Sequence, residues 1–110
     1  MIKANELRIG NWVRDSDGFN KVIHIEESFF YTEMFKNTFA DIKPIPLTEE
    51  ILLKCGFEKL GLIKYELNGV ALNIKWSSYF IHRFETEIKY LHQLQNLYFA
   101  LKGEELEINL

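Results

Sequence analysis

The chain has 110 residues, 47% of them hydrophobic and 15% aromatic, and a formal charge of −3 from 13 basic and 16 acidic side chains. That is the length of one domain with apolar content for a core, which excludes a disordered chain. No stretch approaches the roughly 20 apolar residues of a membrane span, and a single cysteine, Cys55, excludes an internal disulfide.

Nine Phe, five Tyr and two Trp exceed what a core of this size needs, so some are expected at a contact surface. The acids Glu104, Glu105 and Glu107 have no balancing base in the last eight residues, so the rest of the chain is near neutral. This argues against non-specific attraction to nucleic acid but leaves room for a local basic strip. The opening Met-Ile-Lys-Ala-Asn-Glu carries no apolar signal region, so a cytoplasmic protein is expected.

The N-terminal third reads as short strands. Leu7, Ile9 and Val13 share a parity, Trp12 faces the other way, and Gly10 marks a bulge. Asp15-Ser16-Asp17-Gly18 is a turn cluster. Phe19–Glu26 follows as a strand, with Ile23 and Ile25 on one face and Val22 and His24 on the other. Ser28–Thr32 is a dense aromatic strand, and residues 37–43 give a fourth.

Pro44-Ile45-Pro46 is an extended connector, because proline restricts both itself and its predecessor. It leads to Thr48, an N-cap for a short helix over 49–55. Leu47 and Leu52 stand at staple spacing. Gly56 suits the left-handed position after the helix, from which Phe57 packs back on Leu52.

Residues 61–76 then spell a hairpin. Asn68-Gly69 suits a type I′ turn, which needs φ > 0 at both central residues. A two-residue turn sets Leu67 opposite Val70, Tyr65 opposite Leu72 and Ile63 opposite Ile74, all apolar and all on one face. A strand around Ser78–Phe84 follows. The chain turns at Thr86 into its longest helix, about 87–102, closed by Gly103. Leu106, Ile108 and Leu110 alternate in a final strand.

The long helix carries two stripes. Tyr90, Leu91, Leu94, Leu97, Tyr98 and Leu101 make a wide core-facing band. Ile88, His92, Gln95 and Phe99 make a second line where a surface helix would carry charge. Either the helix is packed on two sides by its own domain, or this line is a protein-binding face anchored by Phe99 and rimmed by amides.

Reactive constellations are sparse. Asp15, Asp17 and Glu26 fall at calcium-loop positions 1, 3 and 12, but Phe19 and Asn20 occupy positions 5 and 6, so the segment reads as a hairpin turn. His24, His82 and His92 lack metal-ligand spacing. Cys55 sits at the C-terminal end of its helix, where the dipole disfavours a thiolate. No phosphate-binding or nucleophile-elbow motif is present. No catalytic residue, cofactor or metal is therefore expected. A nucleic-acid reading rests on basic residues interleaved with aromatics, Lys3, Arg8, Trp12, Arg14, Phe19 and Lys21, as a stacking platform on a small barrel, with Arg8, Trp12, Arg14 and Lys21 as its candidate face.

The segment Leu7–Val13, then Gly18, then Lys21–Ile25, resembles the opening of a small SH3-like barrel. Lys3–Val13, Ile42–Phe57 and Tyr90–Leu101 are similar to segments of uncharacterised small proteins of Bacteroidetes phages and mobile elements. That resemblance implies an accessory protein and carries no site residues with it.

The expected fold is one α+β domain over 1–110. Residues 1–45 form an SH3-like antiparallel sheet, and residues 46–110 a short helix, an NG hairpin, a long helix packed on the sheet and a strand. The expected function is non-catalytic protein–protein interaction, with an unidentified partner or a second copy. The alternatives are a nucleic-acid-binding module and a structural part of a virion or conjugation assembly.

Overall fold

The computed structural model describes residues 6–15, 18–26, 29–32, 36–38, 42–75, 77–81 and 86–110. It is mixed α+β, with two antiparallel sheets and two helices. The chain divides into two compact units: residues 1–45 with 90–96, and residues 46–89 with 97–110. The expectations for Ser16, Asp17, Ser28, His82 and Phe84 lie outside the described residues.

In the first unit, β1 (Trp12–Asp15), β2 (Gly18–Ile25), β3 (Phe29–Thr32) and β4 (Lys36–Thr38) form a meander in chain order. β1 and β2 pair antiparallel, with Asp15 opposite Gly18. Before β1 the chain makes a turn in which the Asn11 N–H donates to the Arg8 carbonyl at 3.0 Å and Gly10 takes a φ of 97°. The Gly10 N–H then donates to the Val22 carbonyl at 2.8 Å, and the Val22 N–H donates to the Asn11 carbonyl at 2.9 Å. Two residues thus face one, the glycine bulge that Gly10 announces.

The strand proper starts only at Trp12. Ile9 lies in the turn and is exposed, not beside Leu7 in the core. A second irregularity falls between Val22 and His24 and inverts the alternation on β2. Val22 is buried and Ile25 packs on the core, while Ile23 and His24 face outward, against the expected pairing of Ile23 with Ile25. Leu7, Val13, Val22, Phe30 and Ile42 make this unit's core. The fourth strand is described over Lys36–Thr38, and residues 39–41 of the expected 37–43 lie outside the described residues. Beyond it, Lys43 returns to β1, exchanging two backbone hydrogen bonds of 3.0 and 2.9 Å with Arg14.

The second unit opens with α1 (Glu49–Lys54). The Thr48 hydroxyl accepts from the Ile51 N–H at 3.2 Å, capping the helix as expected. At the other end Phe57 N–H donates to Leu52 C=O and Gly56 N–H to Leu53 C=O, both at 3.1 Å, with Gly56 at a φ of 93°. This is the complete Schellman pair of bonds.

A five-stranded sheet follows: β5 (Glu58–Lys59), β6 (Lys64–Leu67), β7 (Val70–Lys75), β8 (Ser78–Ile81) and β9 (Glu87–Ile88), in chain order. Leu67 faces Val70 and Tyr65 faces Leu72, with Asn68 and Gly69 at φ of 50° and 86°, so turn and register are those read from the sequence. The Ile74 N–H bonds the Ile63 carbonyl at 2.8 Å, but the Ile63 side chain is exposed. The buried face therefore ends at the Tyr65–Leu72 pair.

The long helix, α2, spans Leu91–Lys102, shorter than expected. Glu87 and Ile88 pair with Phe80 and Tyr79 instead, since β-branched Ile88 fits a half-buried sheet better than a helix turn. The Gln93 side chain supplies the start signal, its Oε1 accepting from the Tyr90 N–H at 3.2 Å, as a residue at the third helical position does in a capping box. Gly103, φ 72°, closes the helix with its N–H on the Phe99 carbonyl at 2.8 Å. The tail after it is not a strand. Leu106 is buried and the Asn109 N–H donates to the Lys54 carbonyl, but no ladder forms among the described residues. No described helix is long and apolar enough to cross a membrane.

In the second unit the turn residue Asn68 donates through Nδ2 to the Tyr98 hydroxyl on α2 at 2.8 Å, and Tyr98 is buried. Tyr98→Phe should therefore lower stability by about 1 kcal/mol. Gly69→Ala should cost about 1–2 kcal/mol through its left-handed backbone. Urea midpoints for both variants check this; no shift in the second would rule out the I′ turn.

Candidate functional site

The stripe expected to meet a partner is divided by the fold. Ile88 lies on β9 and is buried, while His92 and Gln95 on α2 are each 1% exposed. Of the four, Phe99 alone is exposed, at 41%. A partner cannot reach the first three, so they form no common contact face. The physical reason is that the first half of α2, Leu91–Asn96, is embedded in the first unit and meets protein on two sides.

Gln95 shows what its position is for. Its Oε1 accepts from the Trp12 N–H at 2.8 Å and its Nε2 donates to the Gly10 carbonyl at 2.9 Å. The amide thus takes the place of a neighbouring strand along β1. Asn96 continues the contact. Its Oδ1 accepts from Arg8 Nε at 3.0 Å and from Asn11 Nδ2 at 2.8 Å, and its Nδ2 donates to the Glu6 carbonyl at 2.9 Å. Asn11 is fully buried, and its Oδ1 accepts from the Arg8 N–H at 2.6 Å. Asn11 directly after Gly10, with the Gln95-Asn96 pair on a largely apolar helix, is the sequence signal for this network.

His92, one helical turn before Asn96, is buried with neither ring nitrogen hydrogen-bonded. The Tyr90 ring lies nearly parallel to it, centroids 6.0 Å apart. Burial pushes its pKa below the ordinary 6.5, partly opposed by the Glu6 carboxylate, so it is neutral in the folded protein at neutral pH.

The four residues of the nucleic-acid reading are also separated. Arg8 is turned toward α2, its Nε on Asn96 and its Nη2 on the Gln95 carbonyl at 3.3 Å. Trp12, Arg14 and Lys21 do share a face. The ladder sets Trp12 opposite Lys21 and Arg14 opposite Phe19, with Val13 between them buried in the core. Lys21 Nζ lies 5.6 Å from the Trp12 ring centroid. Arg14 also stands opposite Lys43. Alternation adds Ile23 to the exposed residues, and the irregularity in β2 adds His24. His24 meets Tyr31, opposite it on β3, at 5.6 Å between centroids. Phe19 belongs to the interleaved set read from the sequence; Ile23, Tyr31 and Lys43 extend it, and His24 joins because the bulge that turns it outward leaves no mark in the alternation.

The titratable groups of the second unit are structural in character. Glu49 is bonded to Lys59 at 3.0 Å, which holds its carboxyl below the ordinary range and raises the ammonium. Burial raises the phenols of Tyr65 and Tyr79, whose rings meet edge-on at 6.0 Å. Burial pushes the Cys55 thiol up to about 12, so it stays protonated at neutral pH. An open cleft of about 380 Å³ beside Cys55 is lined by Lys54, Gly56, Glu107, Ile108 and Asn109. No group of three or more His, Cys, Asp and Glu that could hold a metal occurs among the described residues.

No protein family, curated protein or solved structure matches the chain.

Gln95→Met should strip both bonds from the edge of β1 and destabilise the protein by about 3 kcal/mol. The specific readout is hydrogen exchange at the Trp12 amide, which should accelerate more than that at Val13. His92 sets a pH dependence. Its folded pKa lies below the unfolded value, so the unfolded chain binds the extra proton. Its contribution is intact above about pH 6.5 and is lost as the pH falls below that. Denaturant titrations of wild type and His92→Leu between pH 7.5 and 5 should diverge, the variant holding its stability better in acid. Parallel curves would contradict the neutral buried imidazole.

Proposed function

We propose that the chain acts without catalysis as a protein-interaction module, an accessory protein of a phage or mobile element, and that its contact is the turn between β5 and β6. The observation that supports this is an apolar knob. Leu60, Leu62 and Ile63 are 44%, 88% and 60% exposed within four residues. The knob is a defined turn, since the Leu60 N–H donates to the Lys64 carbonyl at 2.7 Å and Gly61 takes a φ of 88°.

Lys59 and Lys64 flank it, paired with Glu49 and Glu66 at 3.0 and 3.9 Å. An apolar centre inside a charged collar is the pattern of an interface core and its rim. Burying the three side chains would contribute on the order of 5 kcal/mol, a hot-spot scale. The partner chemistry is an apolar groove on a protein surface. For the first unit we propose the finer description of an SH3-like barrel. The four-strand meander and the return of Lys43 to β1 support it. The mobile-element origin rests on the resemblance of residues 3–13, 42–57 and 90–101.

The test is capture from a Bacteroidetes host lysate by tagged full-length chain, with nuclease, beside a Leu62→Asp/Ile63→Asp variant. The substituted side chains are solvent-exposed, so the melting temperature should stay within a few degrees. Proteins retained by wild type should be lost by the variant; retention by both would overturn the reading.

A further inference from the structure

The outer face of the first sheet is made of alternating cations and rings. In one cross-strand row Lys43, Arg14 and Phe19 stand side by side. In the next, Trp12 faces Lys21. Past the irregularity in β2, His24 faces Tyr31. Successive rows on one face of a strand are about 7 Å apart. Phe19 is 45% and Ile23 48% exposed, and Arg14, Lys21, Lys43 and His24 are exposed as well. The opposite face carries Val13, Val22 and Phe30, each fully buried. The outer rings are therefore not overflow from a core that lacks room.

We propose that this face binds single-stranded nucleic acid. The proposal is independent of the apolar knob, which belongs to the second unit. Exposed rings offer stacking surface to unpaired bases, and cations between them meet the phosphates. Three cations among the rings depart from a protein interface, whose buried core is depleted in charge. A duplex keeps its bases stacked on one another and has none to offer to Phe19 or Tyr31. Glu26, near this face, is held 2.9 Å from His24 Nε2, in the row farthest from Arg14 and Lys43. The net charge of −3 is not an obstacle. Its uncompensated acids lie in the last eight residues, in the second unit, and the first unit's outer row carries Arg14, Lys21 and Lys43.

The test is fluorescence anisotropy of full-length protein with labelled 15-mer oligo(dT), oligo(U) and a DNA duplex of equal length. A single strand should bind in preference to the duplex. Three phosphate contacts imply a log–log salt slope of about −2, so affinity should fall about 20-fold between 50 and 200 mM salt. Phe19→Ala should weaken binding at least about fivefold. Arg14→Glu/Lys21→Glu should abolish it with the circular dichroism spectrum unchanged. Leu62→Asp/Ile63→Asp should leave it intact, which separates this result from any failure of the interaction reading. Absence of single-strand binding at 50 mM salt overturns the proposal, as does equal affinity for the duplex or unchanged binding by the charge-reversed variant.

Discussion

A side-chain carboxamide offers the same donor and acceptor as a peptide group, and in the first unit one carboxamide does a peptide's work. Edge strands leave a row of N–H and C=O groups that invite another chain. Along β1 that row is closed by two unlike devices: the Gln95 amide on Gly10 and Trp12, and the backbone of Lys43 on Arg14. The bulge at Gly10 and Asn11 is what makes the first device fit. It leaves the Gly10 carbonyl and the Trp12 N–H to be met by one amide. Asn11, Asn96 and Arg8 hold that amide's surroundings in place, so β1 has one position and its residues one facing.

The facing matters because everything outward on this sheet follows from it. Val13 goes to the core, and Trp12 and Arg14 go to solvent. The irregularity in β2 then decides the rest. Without it Ile23 and Ile25 would share a face, and His24 would turn toward the core with Val22. With it, the His24 imidazole joins Ile23 in the outward row and Ile25 takes its place against the core. Register errors of one residue reverse a whole strand, and a bulge is the same reversal confined to part of one.

Local punctuation was legible in the sequence, because each signal is a steric or hydrogen-bonding requirement of a single residue. Thr48, Gly56 with Phe57, Asn68-Gly69, Gly10 and Gly103 all stand where their backbone chemistry demands. The polar interior was not. A glutamine or histidine on a helix looks like surface until the group that meets it is known, and the partners of Gln95 lie 83 and 85 residues earlier in the chain. The start of α2 was misplaced for a related reason. Glu87 and Ile88 have a sheet edge to join, and tertiary pairing outweighs the weak helical preference of two residues. Alternation in Leu106, Ile108 and Leu110 suggested a strand, but only Leu106 is buried, and one apolar anchor does not make a ladder.

The division of α2 between the units has a genetic consequence. Proline-rich Pro44-Ile45-Pro46 looks like a seam at which the chain could be parted, and it is where the first stretch of the first unit ends. Yet that unit is completed by residues 90–96, and with them come Gln95 and Asn96. A gene fragment ending at the seam would encode a sheet whose first edge kept Lys43 but had lost the Gln95 amide. The reverse fragment would carry a helix whose buried amide and imidazole had lost their surroundings. An exchange of one unit for another would keep the Gln95 and Asn96 contacts only by carrying residues 90–96 together with 1–45.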